Sequence, residues 1–401
     1  MKSCKELYRI GPGPSSSHTL APQRACRLFK SECEDAYEYE AQLFGSLSLT
    51  GKGHCTDQII IETMKPKKCI VKFLVGEDLV HPNTMKLIAY DEQHQELDNW
   101  TIYSLGGGAI EVVGHPGIDG TEVYPQKSCQ EVVEYCKEHK LRFYEYVDAY
   151  EQVDDYLHEI MSQMLETVEK GLATSGYLPG KLHLKRVAKS LYLKAMNCDS
   201  EIEKEKLLLS AYAYSASEEN AAGGMTVTSP TLGSSGIIPA IIYYYYHNLG
   251  YTRLKIINGL KVASIFGNII KTNATISGAK GGCQAEIGAA CAMGAAMIAY
   301  FRGLSDACIE YAAEMGIEHH LGLTCDPVGG YVMIPCIERN AVGTLRAFDS
   351  ALLSQYLMEV KENKVSFDMV VNTMKYTGQK IAIELKETSL GGLAIDVPME
   401  K

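Results

Sequence analysis

The chain has 401 residues, long enough for two domains with cores of their own. Its 49 acidic against 38 basic side chains give a formal charge of −11, which argues against nucleic acid as a partner because phosphate binding needs a basic face. The opening M-K-S-C-K-E-L-Y-R-I mixes charges and lacks the apolar stretch of a signal peptide, so a cytoplasmic protein is expected. The 13 cysteines are odd in number and irregularly spaced. Reduced thiols, some of them metal ligands, fit that pattern better than a disulfide framework.

Residues 1–150 read as an α+β domain. A short helix is predicted over Ala21–Phe29. Strand character, rich in β-branched, aromatic and leucine residues, marks Tyr39–Leu49, Gln58–Thr63, Cys69–Val75, Lys86–Tyr90 and Trp100–Ser104. Turns at G-K-G, K-P-K-K, G-E-D and H-P-N separate them. From Ser128 the periodicity turns helical, and Asp148–Gly171 carries apolar residues at helical spacing until S-G-Y-L-P-G-K-L breaks it. The expected organisation is two-domain: α+β over 1–150, a helical linker over 151–180, and an all-α domain over 181–401. Helices are expected at Lys185–Met196, Ile202–Ser217, Ile237–Asn248, Thr252–Ile269, Ala285–Phe301, Leu304–Met315, Thr344–Glu362 and Ser366–Leu385. The Ala- and Gly-rich Ala285–Phe301 suits a central, closely packed helix. The charge-free run Asn220–Thr252 includes Pro230, Pro239, glycines and hydroxyls, which would strand polar backbone in a bilayer. It is expected to be buried protein interior, with no membrane partner.

The chemistry gathers between Asn273 and Asn340. Cys283, Cys325 and Cys336 each lie close to glycine or proline in turn-like sequence, spaced far too widely for a C-x-x-C zinc knuckle. Free cysteines are commonly small buried hydrophobes, and Cys291 and Cys308, on apolar helical faces, fit that description. Cys283 instead follows Gly281 and Gly282 at an expected helix start, where amides and the dipole favour a thiolate or an anionic cluster. Cys325 and Cys336 flank a D-P-V-G-G loop. Three thiolates can hold a cubane cluster with one iron left open. Near the N-terminus, S-S-S-H-T follows G-P-G-P and opens a helix. Such hydroxyls cap helices, and with the exposed amides they also form a carboxylate cradle. His18 and His54 are the candidates for proton work, with His81 a weaker third. The Y-S-L-G-G-G-A stretch, 103–109, is either a strand end or a backbone nest.

G-C-Q-A-E-I-G followed by H-H-L-G-L-T-C-D-P-V-G-G-Y-V-M-I-P-C-I-E-R-N-A resembles the iron-sulfur-dependent L-serine dehydratases. P-S-S-S-H-T at 14–19 and G-K-G-H-C-T-D at 51–57 resemble that family's N-terminal signatures, in the same order, so the resemblance spans nearly the whole chain. It implies a 4Fe-4S cluster on Cys283, Cys325 and Cys336, whose open iron acts as a Lewis acid on L-serine. It implies His54 as the base and His18 for substrate orientation, or the reverse. Ser15, Ser16, Ser17 and Thr19 would meet the substrate, and Asn220, Thr228, Thr231, Asn273 and Ser277 would hydrogen-bond substrate or cluster, with the site between the domains. T-S-L-G-G-L-A-I at 388–395 also matches, but the family's tail cysteine, which fills the fourth iron position, has no counterpart after Cys336. That position is then left to water, another residue or a partner chain. A homodimer is the expected assembly. The alternatives are a cluster-dependent desulfidase or dehydratase of another β-substituted amino acid and a non-catalytic cluster sensor. A pyridoxal-phosphate lyase using Lys280 would leave the cysteines unexplained.

Overall fold

The computed structural model describes residues 1–75 and 79–398. The predicted G-E-D turn, 76–78, and the end of D-V-P-M-E-K, 399–401, lie outside the described residues. A five-stranded sheet of order β3-β2-β4-β5-β6 is built from β2 (Glu38–Gly45), β3 (Lys68–Phe73), β4 (Asn83–Tyr90), β5 (Glu96–Gly106) and β6 (Ala109–Val112). All its pairings are antiparallel except β2 with β3, where Tyr39 lies opposite Cys69 in a parallel ladder. Parallel neighbours cannot be joined by a hairpin, so the chain must cross over between them. For that reason Gln58–Thr63, expected as a strand, belongs instead to a helix, Thr56–Met64, which buries Ile60 and Met64 on one face. The β-propensity of three consecutive isoleucines yields to topology. The expected strand Tyr39–Leu49 also ends early, at Gly45 with φ +57°, and Ser46–Leu49 is one helical turn. The Ala21–Glu32 helix covers the sheet, with Phe29 set edge-on to Trp100 at 5.3 Å.

The remainder is mostly helical. Asp154–Ala173, Glu201–Ala221, Arg253–Asn273, Ile287–Phe301, Asp306–Glu318, Cys336–Val360 and Phe367–Lys380 are its longer helices. Every residue of Ile287–Phe301 is buried. Small residues allow this: a Cβ on Gly316 would sit 3.0 Å from the Ala292 backbone. Among the described residues, one helical segment, Cys283–Phe301, is long and apolar enough to cross a membrane, and 94% of its apolar window is buried inside the protein. The charge-free run contributes buried residues from Ile237 to Ile242.

Two main apolar cores divide the chain. One lies around the sheet, from Ala21 to Val112. The other joins the C-terminal helices to Met1, Leu7, Tyr8 and the residues from Tyr124 onward, including Leu157, Ile160 and Met164. Asp154–Ala173 is thus a core helix of the helical body rather than a spacer. β1 (Ile10–Pro12) also pairs with β7 (Met225–Val227) in that body, so the chain starts there before it enters the sheet module.

The two bodies meet backbone to backbone. A Cβ on Gly53 would lie 2.5 Å from the Gly329 carbonyl oxygen and 2.7 Å from that of Gly330. Gly53→Ala is expected to cost about 1–3 kcal/mol through this overlap, seen as a lower denaturant midpoint at unchanged slope. A midpoint equal to that of the wild type would show that the two loops give way freely.

Candidate active site

The serine loop follows β1. Ser15 caps the turn Ser16–Leu20, its Oγ accepting the His18 amide at 3.3 Å, and the turn runs straight into the Ala21–Glu32 helix. Ser15 through Thr19 are all buried. Ser17 Oγ lies 2.9 Å from His18 Nδ1, and Thr50 Oγ1 lies 2.9 Å from His18 Nε2. Three of the expected contact residues direct their hydrogen bonds into the chain. Thr19 Oγ1 donates to the Pro12 and Ser15 carbonyls at 2.8 and 2.6 Å. Asn220 Nδ2 donates to Pro14 O at 2.7 Å while its Oδ1 accepts from Thr226. Thr228 Oγ1 donates to Leu7 O and accepts the Arg9 amide. Thr19 and Asn220 thereby hold the serine loop, and Thr228 holds the segment leading into it. Asn273 is drawn to Lys127 O at 2.5 Å, whereas the buried Ser277 Oγ has no partner.

His54 stacks on His18 with ring centroids 4.2 Å apart. Its Nδ1 meets the Thr50 carbonyl at 2.9 Å, which fixes the proton there and leaves the lone pair on Nε2. Burial lowers the His54 pKa to about 4, and burial together with the neighbouring His54 lowers that of His18 well below its ordinary value. Both rings are therefore neutral near pH 7.

A residue absent from the sequence expectations completes this group. Glu387 Oε1 lies 3.4 Å from Ser17 Oγ, 3.6 Å from His18 Nδ1 and 3.9 Å from His54 Nε2. The signal was one position upstream of the T-S-L-G-G-L-A-I match. Glu387 and Ser389 both have left-handed backbone, φ +59° and +56°. Such conformations persist only where neighbours enforce them. Here the Glu387 amide donates to Cys325 O at 2.6 Å, Cys325 N donates to Leu385 O at 2.8 Å, and Ser46 Oγ donates to Glu387 O at 2.6 Å.

The cysteines lie on the other side of that loop. Sγ of Cys283, Sγ of Cys325 and a carboxylate oxygen of Glu286 are all within 4.8 Å of one another. Cys283 follows Gly282, φ +74°, in a 3₁₀ turn ahead of Ile287–Phe301, and Cys336 is the first residue of its helix. Space there depends on glycine: a Cβ on Gly278 would come 3.3 Å from Cys325 Sγ and 2.9 Å from Glu286 Oε2. The Cys283 thiol is pulled down by a hydrogen bond from Cys325 and by the Arg339 charge. Cys325, as the donor to Cys283, is pushed up, and burial pushes Cys336 up with Cys283 beside it. Cys291 sits deep in its helix, raised by burial, and takes no part. Gly329 and Gly330 pack on the Thr50–Gly53 turn. At 106–108, Gly107 O is taken by Arg9 at 2.8 Å and Gly106 packs on Ile276. His81 is buried against Tyr103, apart from the imidazole pair. Lys280 is exposed at a cavity of about 680 Å³ that reaches Ser46, Ala279 and Thr388.

The buried imidazoles set a pH dependence. Unfolded histidine takes a proton near pH 6.5, whereas folded His54 resists protonation down to about 4. Below pH 6.5 the unfolded chain binds more protons, so stability that is full above that pH falls as the pH drops toward 4. The loss from His54 is about 3 kcal/mol. His54→Gln is expected to flatten the acid limb of a series of denaturation midpoints by that share; an unchanged limb would contradict a neutral, buried His54.

The serine dehydratase alpha chain family matches residues 52–394, and the serine dehydratase beta chain family matches residues 3–72. The chain is 34% identical to an L-serine dehydratase of Haemophilus influenzae over 99% of both proteins. It is 36% identical to an L-serine dehydratase of Streptomyces coelicolor over 98% of both, and 35% identical to L-serine dehydratase 1 of Escherichia coli over 99% of both. With alpha-chain and beta-chain regions matched in one polypeptide, this chain belongs to the serine dehydratase family.

Proposed function

We propose that the chain is an L-serine ammonia-lyase, releasing pyruvate and ammonia, with its active site at the junction of the sheet module and the helical body. One observation carries this reading: the Leu385–Glu387 segment is bonded to Cys325 on one side while Glu387 faces Ser17, His18 and His54 on the other. Proton-handling groups and thiols thereby share one buried centre.

The thiols fit a 4Fe-4S cluster. Cys283, Cys325 and Cys336 are buried and free of disulfides, Gly278 leaves room beside them, and Arg339 favours thiolate at Cys283. Bound there, the cluster would supply a Lewis acid for the departing β-hydroxyl of serine. The hydroxyls of Ser15, Ser16 and Ser17, at the start of a continuous helical run, receive the substrate carboxylate. His54 removes the α-proton at Nε2, and the Thr50 carbonyl holds the ring and stabilises the imidazolium through Nδ1–H. His18, fixed between Ser17 and Thr50, orients the substrate. Loss of the α-proton and the β-hydroxyl leaves aminoacrylate, which tautomerises and hydrolyses to pyruvate and ammonia.

Anaerobically prepared protein is expected to release pyruvate from L-serine and to turn over α-deuterated L-serine more slowly. His54→Gln should lower kcat by ~10²–10⁴. Unchanged turnover in this variant would shift the base to His18, and a wild type inert toward L-serine would overturn the reading.

A further inference from the structure

The proposed reaction accounts for the substrate's carboxylate, α-proton and β-hydroxyl, but not for its α-ammonium group. A buried site that binds an amino acid needs a counter-charge for that cation, because an unpaired charge away from water is costly. Glu387 is 5% exposed, and its Oε2 is buried without a hydrogen-bond partner. Among the described residues the basic groups nearest to it are the two imidazoles, which are neutral, and burial beside Glu286 and Cys283 pushes its own acid well up, so the chain itself supplies it with no cation. Arg339, the guanidinium at the thiols, is engaged with Thr324 O at 2.6 Å and lies 3.6 Å from Asp326 Oδ1. The carboxylate thus has one oxygen, Oε1, facing both Ser17 and the proposed base, and the other, Oε2, open. The strained backbone at φ +59° and the three hydrogen bonds that enforce it hold the side chain in that place.

We infer that Glu387 is the acceptor for the α-ammonium group of the substrate, and so the residue that selects 2-amino acids over 2-hydroxy acids. This assignment rests on the reaction proposed above. It places the ammonium and carboxylate of one substrate on Glu387 and the serine loop respectively, so that the α-carbon between them faces His54. A hydroxy acid offers Glu387 no cation, and a site built to pair with a charged group on its ligand discriminates strongly against an analogue that lacks it.

The test compares L-serine with L-glycerate, which has the same skeleton with a hydroxyl in place of the amine, by calorimetric binding to the anaerobic, cluster-loaded enzyme carrying His54→Gln, in which turnover of L-serine is slowed by ~10²–10⁴. In Glu387→Gln the affinity for L-serine is expected to fall roughly 10–150-fold while that for L-glycerate stays within about twofold or improves. Glu387→Asp, which keeps the charge, should retain the preference for L-serine, and it decides the question if the Gln variant does not fold. Equal losses for both ligands, or loss of preference in the Asp variant, would overturn the assignment. So would a changed Mössbauer spectrum of substrate-free, 57Fe-loaded Glu387→Gln, which would place the carboxylate on the cluster. Binding is read independently of pyruvate release, so failure of the proposed reaction and failure of this assignment are seen separately.

Discussion

The pairing of Cys325 with the Leu385–Glu387 segment is the constraint on which the site depends. Two backbone hydrogen bonds, at 2.8 and 2.6 Å, tie the thiol-bearing loop to the C-terminal segment, and Ser46 ties the same segment to the end of the sheet module. Without these bonds Glu387 would relax from its left-handed conformation, and nothing would hold its carboxylate between the imidazoles and the cysteines. Ser389 Oγ on Pro327 O and Leu393 N on Asp326 Oδ2 extend the attachment. The junction is therefore sewn by polar contacts that run from the buried Glu387 out to the half-buried Ser389 and the exposed Leu393.

Glycine makes that closeness possible. Gly53 against Gly329 and Gly330, Gly13 against Asn220, and Gly278 against Cys325 and Glu286 each occupy a place where a side chain would collide. The same burial that brings the groups together removes water from them, which is why His18 and His54 stay neutral. A base must be unprotonated to act, and here desolvation, rather than a charged neighbour, provides that state.

Much of this was legible in the sequence. The helices of the second half followed from apolar spacing, and S-S-S-H-T, G-K-G-H and the three cysteines were singled out by motif. Gln58–Thr63 was misread because a run of isoleucines carries strand propensity, while the parallel β2–β3 pairing that demands a crossover helix is a long-range fact. The division of cores was hidden for a similar reason, since β1 pairs with a strand more than two hundred residues away. Glu387 was overlooked because a glutamate beside a glycine-rich match looks like surface, and only the fold buries it. Thr19 and Asn220, expected at the substrate, hydrogen-bond to the serine loop and the segment before it, and Thr228 bonds Leu7 and Arg9, contacts between distant parts of the chain that spacing does not reveal.

The most direct test of the account is the iron and acid-labile sulfide content of anaerobically purified protein, measured beside Cys325→Ala. The wild type is expected to be brown with about four irons per chain, and the variant to lose iron, sulfide and L-serine turnover together. A colourless, iron-free protein that deaminates L-serine at full rate would contradict the account.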